Sequence, residues 1–427
     1  MKFLFVHQNF PGQFVHILRH LVKMGGHEIV FVTEPNTNHI EGVRKVPYMK
    51  PRPAFVETHI AARELDIAAR RADIVATTAR TLRELGFTPD IVIGHAGWGE
   101  MLNLVDVWPN VPSIRYMEFY YRTDGADVIF DPEFPIDPSD YPRIRAKNAV
   151  NHLSLDQDGL GVSPTQWQLS TYPDWARSRI DLLWEGVDLE MCSPDASVRE
   201  KSLTIGDLSI EPEDLLVTYV TRDLEPYRGV HPMIRALPDL LQARKNIKVA
   251  MVGGTGVSYG SPPPDGGNWR DRFLREVEGR IDPTRIVFPG RIPYQAYISM
   301  LRRSDAHVYL TYPFVASWSL REAMAIGCAI VGSDTAPVRE FITHRKTGLL
   351  TSFFDPPALA AAVLEVLENK KLARSLRKNA RLYAERHLGM DDYLRVFSDK
   401  IETLTGLSLL VPETRPGPAA KSRRARR

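Results

Sequence analysis

The chain has 427 residues, more than one compact hydrophobic core normally holds, so two domains of ordinary size are expected. Hydrophobic residues make up 44% and charged residues 25%, a composition that excludes disordered and fibrous proteins. The formal net charge of +2 is too small to indicate a nucleic-acid partner, and the two cysteines predict neither a disulfide framework nor a structural zinc site.

In the first half of the chain, short apolar runs alternate with longer amphipathic runs, the pattern of a parallel sheet covered by helices. Helices are predicted at 13–24, ending at Gly25, and over 58–85. A segment from Met117 to Arg145 is rich in Tyr, Asp and Pro and predicts a long irregular excursion with a functional role. The predicted strands are 3–6, 28–32, 90–93, 113–116, 159–162 and 180–183.

The same alternation returns in the second half, where strands again bracket helices. Helices alone are predicted from 356 to about 405. The predicted strands are 215–220, 247–252, 285–288, 306–310, 329–332 and 348–351, and the helices between them are 231–243, 269–280, 293–302, 319–326 and 337–343.

These patterns predict an α/β fold of two Rossmann-like domains whose parallel sheets face each other across a cleft. The first domain is predicted over residues 1–190 and the second over 214–385. Residues 191–213 mix proline, acidic and polar residues without a sustained period, and predict the linker and hinge. Residues 386–410 are predicted as C-terminal helices that pack back across the hinge, and 411–427 as a flexible basic tail.

No run is long and apolar enough to cross a bilayer, and His7 and Asn9 interrupt the start before it could form a signal-peptide core. A cytoplasmic location is therefore expected. Two interpretations stay open for the tail, which ends in KSRRARR: a solvated chain end, or weak attraction to anionic lipid headgroups at the inner face of the membrane.

A ligand of two tandem parallel sheets is expected between the domains, beyond the carboxyl ends of the strands. After the first strand, Gly12 precedes a helix whose amides suit a phosphate. After the third strand, His95 is a candidate proton carrier or hydroxyl ligand, and Trp98 offers an apolar face to a sugar ring. A plain turn and a structural histidine remain the alternatives.

The second half offers two further loops. In TRDLEPYRG, Arg222 and Arg228 flank a turn into a helix and match the charge of a diphosphate. In SWSLREAMAIG, Ser317 or Ser319 can cap a helix whose first turn holds Glu322, a candidate acceptor for vicinal hydroxyls. Solvated arginines and ordinary helix-dipole complementarity are the alternatives.

Several familiar motifs are absent from the sequence. No DxD pair ends a strand, and no HExxH, Walker loop or Ser-His-Asp arrangement is present. Arginines and helix amides would therefore neutralise the phosphates, with no metal and no cofactor. The VGGTG segment at 252–256 and its proline-rich continuation predict a flexible loop at the cleft rather than a dinucleotide fingerprint.

Three segments together resemble the retaining family 4 glycosyltransferases of the GT-B fold: FLFVHQNFPGQF at the start, LLWEGVDLEMCSP at 182–194, and REAMAIGCAIVGSD at 321–334 with Glu340 and HRKTGLL after it. The opening is similar to one bacterial subgroup. The resemblance covers Met1 to about Phe397. It implies metal-independent transfer of a sugar from a UDP- or GDP-sugar to a hydroxyl of a glycan, lipid-linked or small-molecule acceptor, with retention of configuration, in bacterial glycan or glycoconjugate biosynthesis.

The resemblance also implies roles for individual residues. His95 would lie near the transferred sugar, Glu322 would bind the donor ribose, and the main chain at Ile292 would bind the base. The implied catalytic residues are His95, Glu322, Arg222 and Arg228, and the implied donor-binding residues are Gly12, Arg222, Arg228, Ile292, Phe314, Ser317, Ser319, Leu320 and Glu322.

One position departs from the family. Phe314 stands where the family presents the first of two glutamates, eight positions before Glu322, and Val315 and Ala316 replace a glycine-rich turn. The identity of the sugar therefore cannot be carried over. Two alternative functions stay open: a non-catalytic nucleotide-binding member of the same fold, and a nucleotide-sugar epimerase.

Overall fold

A seven-stranded parallel sheet forms the first half of the chain, in the order β3-β2-β1-β4-β5-β6-β7. The computed structural model describes residues 1–410, and the predictions for the tail at 411–427 lie outside them. The strands are β1 (Lys2–Val6), β2 (Glu28–Thr33), β3 (Val43–Pro47), β4 (Ile91–His95), β5 (Ser113–Tyr116), β6 (Leu160–Ser163) and β7 (Ile180–Leu182). Only β3 of these was not predicted; it is an edge strand that carries two charges and ends in proline.

The helices of this half follow the predicted alternation. They are α1 (Val15–Met24), α2 (Arg63–Glu84), α3 (Tyr141–Lys147), α4 (Ala149–Asp156), α5 (Gln166–Thr171) and α6 (Asp174–Arg177). The predicted excursion, 117–145, consists of turns until a short 3-10 helix, Pro138–Asp140, leads into α3.

A second parallel sheet, of six strands, forms the other half, in the order β12-β11-β10-β13-β14-β15. A separate antiparallel hairpin, β8 (Leu203–Ile205) and β9 (Leu208–Ile210), precedes it. The sheet strands are β10 (Leu215–Asp223), β11 (Ile247–Gly254), β12 (Ile286–Val287), β13 (Ala306–Tyr309), β14 (Ile330–Ser333) and β15 (Leu349–Thr351). The helices are α7 (Val230–Ala243), α8 (Trp269–Glu276), α9 (Tyr294–Arg303), α10 (Trp318–Ile326), α11 (Ala336–Arg339), α12 (Pro356–Glu368), α13 (Lys370–His387) and α14 (Met390–Thr405).

Both faces of the first sheet are buried, because alternate residues of a strand point to opposite sides. Phe3 and Phe5 of β1 pack in one apolar cluster with α1 and α14, whereas Leu4 and Val6 pack in another with α2. The final helix, α14, therefore covers the first sheet although it follows the whole second domain in sequence. No helix within residues 1–410 is both long and apolar enough to cross a membrane.

The predicted linker at 191–213 contains the β8–β9 hairpin. Ile205 and Ile210 of the hairpin share an apolar cluster with Leu216 of β10, so this part of the stretch packs on the second domain. Ahead of it, Val187 forms a parallel bridge with Gly389. The hairpin was not predicted, although the apolar alternation of LTIGDLSI around Gly-Asp is a hairpin signal. The bounds of the linker stay a prediction.

Candidate active site

A cavity of about 1760 Å³ lies between the carboxyl edges of the two sheets. Its walls are loops that follow β1, β4, β5 and β6 of the first domain and β10, β11, β12 and β13 of the second. It exceeds the roughly 300–1,000 Å³ of a usual small-ligand site, so it has room for two substrates. The predicted site residues that line it are Gly12, Arg222, Arg228, Phe314, Ser317 and Ser319, and those that do not are His95, Ile292, Leu320 and Glu322.

Two histidines end neighbouring strands of the first domain. Val6 of β1 pairs with Gly94 of β4, so His7 and His95 follow at equivalent positions, and their rings lie 5.5 Å apart at 83°. Each Nδ1 accepts a backbone N–H from two residues on, at 2.8 Å for His7 and 3.0 Å for His95. In the neutral rings the protons therefore sit on Nε2.

Gly12 has the conformation and the close contact that require glycine. Its φ is +54°, and a Cβ there would lie 3.1 Å from Nδ1 of His7. The residue lines the cavity at the start of the 3-10 helix Gly12–Phe14, which leads into α1. Gly12 therefore packs against an imidazole, and its predicted close approach to a ligand stays a prediction.

His95 lies behind a carboxylate that sequence reasoning missed. Its Nε2 is 3.3 Å from Oε2 of Glu118, and its ring stacks on Trp98 with centroids 5.8 Å apart. Glu118 and Trp98 line the cavity, whereas His95 does not. Burial raises the pKa of Glu118, but the hydrogen bond and charge of His95, with His7 and Gln13, outweigh it and leave that pKa below its usual range.

Burial lowers the pKa of His7 to about 3, and the neighbouring His95 adds to this decrease. His7 is therefore neutral near pH 7. Because Nδ1 is occupied by the Asn9 amide, this ring can offer only an N–H donor at Nε2.

The two predicted arginines of the second domain differ in their surroundings. Arg222 is exposed at the cavity, and within residues 1–410 its guanidinium has no ion pair or hydrogen bond. Arg228 is buried, donates from Nη1 to Thr311 Oγ1 and to the Val315 carbonyl at 2.9 Å each, and lies 4.7 Å from the ring centroid of Tyr259. Arg228 therefore also holds the turn before α10 in place.

The loop after β11, predicted to be flexible, is tied to the loop after β10. Glu225 accepts backbone N–H groups from Ser258, Tyr259 and Gly260 at 3.0 to 3.2 Å. Burial raises the pKa of this carboxyl despite these bonds. Sequence reasoning missed Glu225 because a buried acidic residue in a strand-to-helix turn matches no motif.

Arg291 is a further cation at the cavity that was not predicted. It pairs with Asp223 at 3.1 Å, and its side chain is 68% exposed. It directly precedes Ile292 in the sequence Gly-Arg-Ile-Pro at 290–293, but Ile292 itself packs partly against the second-domain core. The predicted base-binding role of the Ile292 main chain stays a prediction.

The start of α10 lines the cavity with hydroxyl groups. Ser317 is the N-cap residue; its N–H donates to the Tyr309 hydroxyl at 2.8 Å, and its Oγ lies 2.6 Å from that of Ser319. Leu320 follows inside the helix and is fully buried, and its backbone N–H donates to the Ser317 carbonyl at 3.3 Å. The predicted donor-binding role of Leu320 stays a prediction.

Glu322 is engaged by α9. Its carboxylate accepts from the hydroxyls of Tyr294 and Tyr297 at 2.7 and 2.8 Å. The carboxylate thus already binds two hydroxyl groups, one on each oxygen, supplied by two tyrosines of the protein. Its predicted contact with the donor ribose stays a prediction.

Phe314 lies in an aromatic cluster built from both domains. Its ring is 4.7 Å from Phe119 of the first domain and 5.2 Å from Tyr259 of the second. Its carbonyl accepts the indole N–H of Trp167 at 2.9 Å. A second contact across the domains is the Glu340 carboxylate, which accepts the amides at the start of α5, including that of Trp167 at 2.8 Å.

The excursion at 117–145 crosses the cavity and docks on the second domain. Asp127 accepts from the Tyr227 hydroxyl at 2.9 Å, and Asp131 contacts His231 Nε2 at 2.9 Å. The Tyr312 hydroxyl donates to the same Asp131 oxygen at 2.7 Å. The predicted irregular segment is therefore a strap between the domains, held by buried polar contacts.

Within residues 1–410, one group of side chains could hold a metal ion: Asp131, Glu133 and His231, whose ligand atoms lie within 4.8 Å of one another. Its carboxylates already have partners. Glu133 accepts from Arg235 at 2.7 Å through both oxygens, besides the contacts of Asp131 described above. The predicted lack of a metal requirement stays a prediction.

Two facing parallel sheets with a cavity between them define the GT-B architecture of glycosyltransferases. Residues 25–192 match the model of the glycosyl transferase family 4 group, and residues 203–383 match that of glycosyl transferases group 1. The chain belongs to the family 4 type of glycosyltransferases.

Curated relatives are distant. The chain is 24% identical over 302 residues to a D-inositol 3-phosphate glycosyltransferase of Jonesia denitrificans, a match that covers 68% of this chain and 65% of that protein. It is 27% identical over 164 residues to a phosphatidyl-myo-inositol mannosyltransferase of Mycolicibacterium smegmatis, 38% of each protein. The chain thus spans less than two thirds of the curated relatives it matches.

Solved structures share the fold at low sequence identity. A sucrose-phosphate synthase from Thermosynechococcus elongatus superposes with a TM-score of 0.69 at 15% identity, covering 95% of this chain and 99% of that one. Anabaena HepE in complex with UDP and glucose superposes with a TM-score of 0.65 at 15% identity, covering 95% and 100%.

Proposed function

We propose that this protein transfers a sugar from a nucleoside diphosphate sugar to an acceptor hydroxyl, with retention of configuration and without a metal ion. The observation that carries the proposal is Arg222, an exposed cation at the cavity with no acidic partner in the described chain. Gly12 and the start of α10 line the same cavity, so backbone amides accompany this charge. The UDP and glucose in HepE support a donor of this class.

Departure of the diphosphate is the step that the site would accelerate. Arg222, Arg228 and the amides near Ser319 and Leu320 would stabilise the growing negative charge, each well-placed donor contributing on the order of a few kcal/mol. The bond from the anomeric carbon to the diphosphate breaks, the acceptor oxygen bonds to the same face, and the leaving phosphate takes the acceptor proton.

Glu322 and Ile292 would bind the nucleoside. The carboxylate of Glu322 accepts one tyrosine hydroxyl on each oxygen, and the two ribose hydroxyls would take their place. The main chain at Ile292 would bind the base. Closure of the domains would exclude water and so limit hydrolysis of the donor.

The acceptor would lie on the first-domain side of the cavity. Glu64, Arg143 and Lys147 line the cavity there and form ion pairs at 3.1 and 3.9 Å. These groups suit the hydroxyls of a glycan, lipid-linked or small-molecule acceptor, and a cytoplasmic setting would supply nucleotide sugars.

Product analysis tests the proposal. The full chain is incubated with UDP-glucose, GDP-mannose and ADP-glucose, with and without EDTA, and nucleoside diphosphate release is followed by mass spectrometry. We expect slow release alone, faster release with an acceptor, no effect of EDTA, and a retained anomeric configuration by NMR. Absence of donor binding by calorimetry would refute the transferase; isomerised donor without release would establish an epimerase; binding without turnover would establish a non-catalytic member.

A further inference from the structure

Glu118 presents a carboxylate to the cavity from the first domain. It lies two residues beyond the end of β5, and its side chain is 29% exposed, in contrast to the buried His95 that holds it. Gln13 donates to Oε1 at 3.4 Å and His95 contacts Oε2 at 3.3 Å. Because a carboxylate has about four acceptor positions, both oxygens keep capacity for a ligand.

His95 orients this carboxylate, and the neighbouring His7 adds an unused donor. The Gly97 amide occupies Nδ1 of His95, so its Nε2–H must face Glu118. His7 is only 3% exposed, and within residues 1–410 its Nε2 has no hydrogen-bond partner, although the residue lines the cavity. A buried N–H without a partner is uncommon in native proteins, so an acceptor such as a ligand hydroxyl or a water is expected at this atom.

Glu118 also lies close to the place where the family residue is missing. The next residue along the chain, Phe119, packs its ring on Phe314. The backbone carbonyl of Glu118 accepts a hydrogen bond from the side chain of Gln168. The neighbouring Trp167 donates its indole N–H to the Phe314 carbonyl. The cavity therefore has no carboxylate at Phe314, whereas Glu118 presents one from the opposite domain.

We propose that Glu118 binds a hydroxyl of a sugar substrate in the cavity, with His95 as its positioning residue and His7 as the donor to the same hydroxyl. A sugar hydroxyl both donates and accepts, so it satisfies the carboxylate and the Nε2–H together. The inference rests on the proposed transferase function. The hydroxyl can belong to the transferred sugar or to the acceptor sugar.

The test compares Glu118→Gln with Glu190→Gln, an exposed glutamate outside the cavity. Hydrolysis and transfer are measured with UDP-glucose, GDP-mannose and ADP-glucose, and UDP or GDP binding is measured by calorimetry. We expect Glu118→Gln to lower kcat/KM about 10- to 100-fold, with nucleoside diphosphate affinity unchanged. Glu190→Gln should match the wild type.

The two sources of the hydroxyl give different results. Loss of both hydrolysis and transfer in Glu118→Gln assigns it to the transferred sugar, whereas loss of transfer alone assigns it to the acceptor. Equal rates in Glu118→Gln and wild type overturn the inference while leaving the transferase intact. A wild type that binds none of the three donors overturns the function and the inference together.

A pair of variants separates positioning from direct contact. If His95 acts through Glu118, the double variant His95→Gln/Glu118→Gln should be no slower than Glu118→Gln alone. His7→Gln, which keeps a donor near Nε2, should retain more transfer than His7→Phe. Additive losses in the double variant, or equal rates in the two His7 variants with unchanged thermal melting, would contradict these roles.

Discussion

Replacing Arg222 with alanine tests the diphosphate site without disturbing the fold. The guanidinium is exposed and has no partner within residues 1–410, so stability should change by less than about 0.5 kcal/mol. A charge-assisted hydrogen bond to phosphate contributes about 1.5–3 kcal/mol. Its loss should weaken UDP or GDP binding about 10- to 150-fold.

Calorimetry with the nucleoside diphosphate and with the matching nucleoside is the appropriate assay. Uridine or guanosine affinity should stay constant in Arg222→Ala, because a nucleoside has no phosphate. The matched control is Arg275→Ala, an exposed arginine of α8 outside the cavity, which should bind both ligands like wild type. Equal losses for nucleoside and nucleoside diphosphate, or an unchanged diphosphate affinity, would refute the role of Arg222.

Three further variants test other parts of the site. Glu322→Ala should lower donor affinity or turnover, measured by initial rates, while circular dichroism stays unchanged; full activity would refute its ribose contact. Gly12→Ala should cost at least about 1 kcal/mol by urea unfolding, because φ is +54° and the new Cβ would meet the His7 ring; a neutral substitution would contradict this packing. Asp131→Asn should cost about 2 kcal/mol at pH 7, since it weakens the His231 and Tyr312 contacts. Burial raises the pKa of Asp131, but the hydrogen bonds from His231 and Tyr312 outweigh burial and leave the pKa lowered. The stability that these bonds contribute is therefore present above the unfolded pKa of Asp131, about 3.9, and is lost as pH falls through the lowered folded value. A stability difference between Asp131→Asn and wild type that persists at still lower pH would contradict the assignment.

The double Rossmann-like architecture followed from sequence because buried parallel strands are continuous apolar runs. β1, β10 and β13, for example, read as apolar segments between amphipathic ones. The edge strand β3 does not carry this signal, because Arg44 and Lys45 interrupt its apolar pattern. The bridge between Val187 and Gly389 was not predicted either, because Gly186 lies against the backbone of Met390, and apolar patterning does not register such a close backbone approach.

The sequence predicted at which edge of the sheet each site residue lies. It did not predict whether the side chain reaches the cavity or is buried behind another residue. His95 was selected because it ends β4 between glycines, yet the side chain of Glu118 stands between it and the cavity. The register of β4 with β5 pairs His95 with Tyr116, so a residue two positions further on reaches the same edge. Glu118 was overlooked because it opens the irregular excursion. His7 was noted only as an interruption of an apolar start.

Phe314 replaces the family glutamate within a set of residues that suit an aromatic ring rather than a carboxylate. Its ring packs among Phe119, Tyr227 and Tyr259, and its backbone is fixed by Trp167. A carboxylate placed among these rings would be desolvated without a partner, which is costly. The loss of the family glutamate at this position is therefore matched by aromatic residues from both domains. A polar contact to the sugar has to come from outside this cluster, and Glu118, which precedes Phe119 in the chain, lines the same cavity.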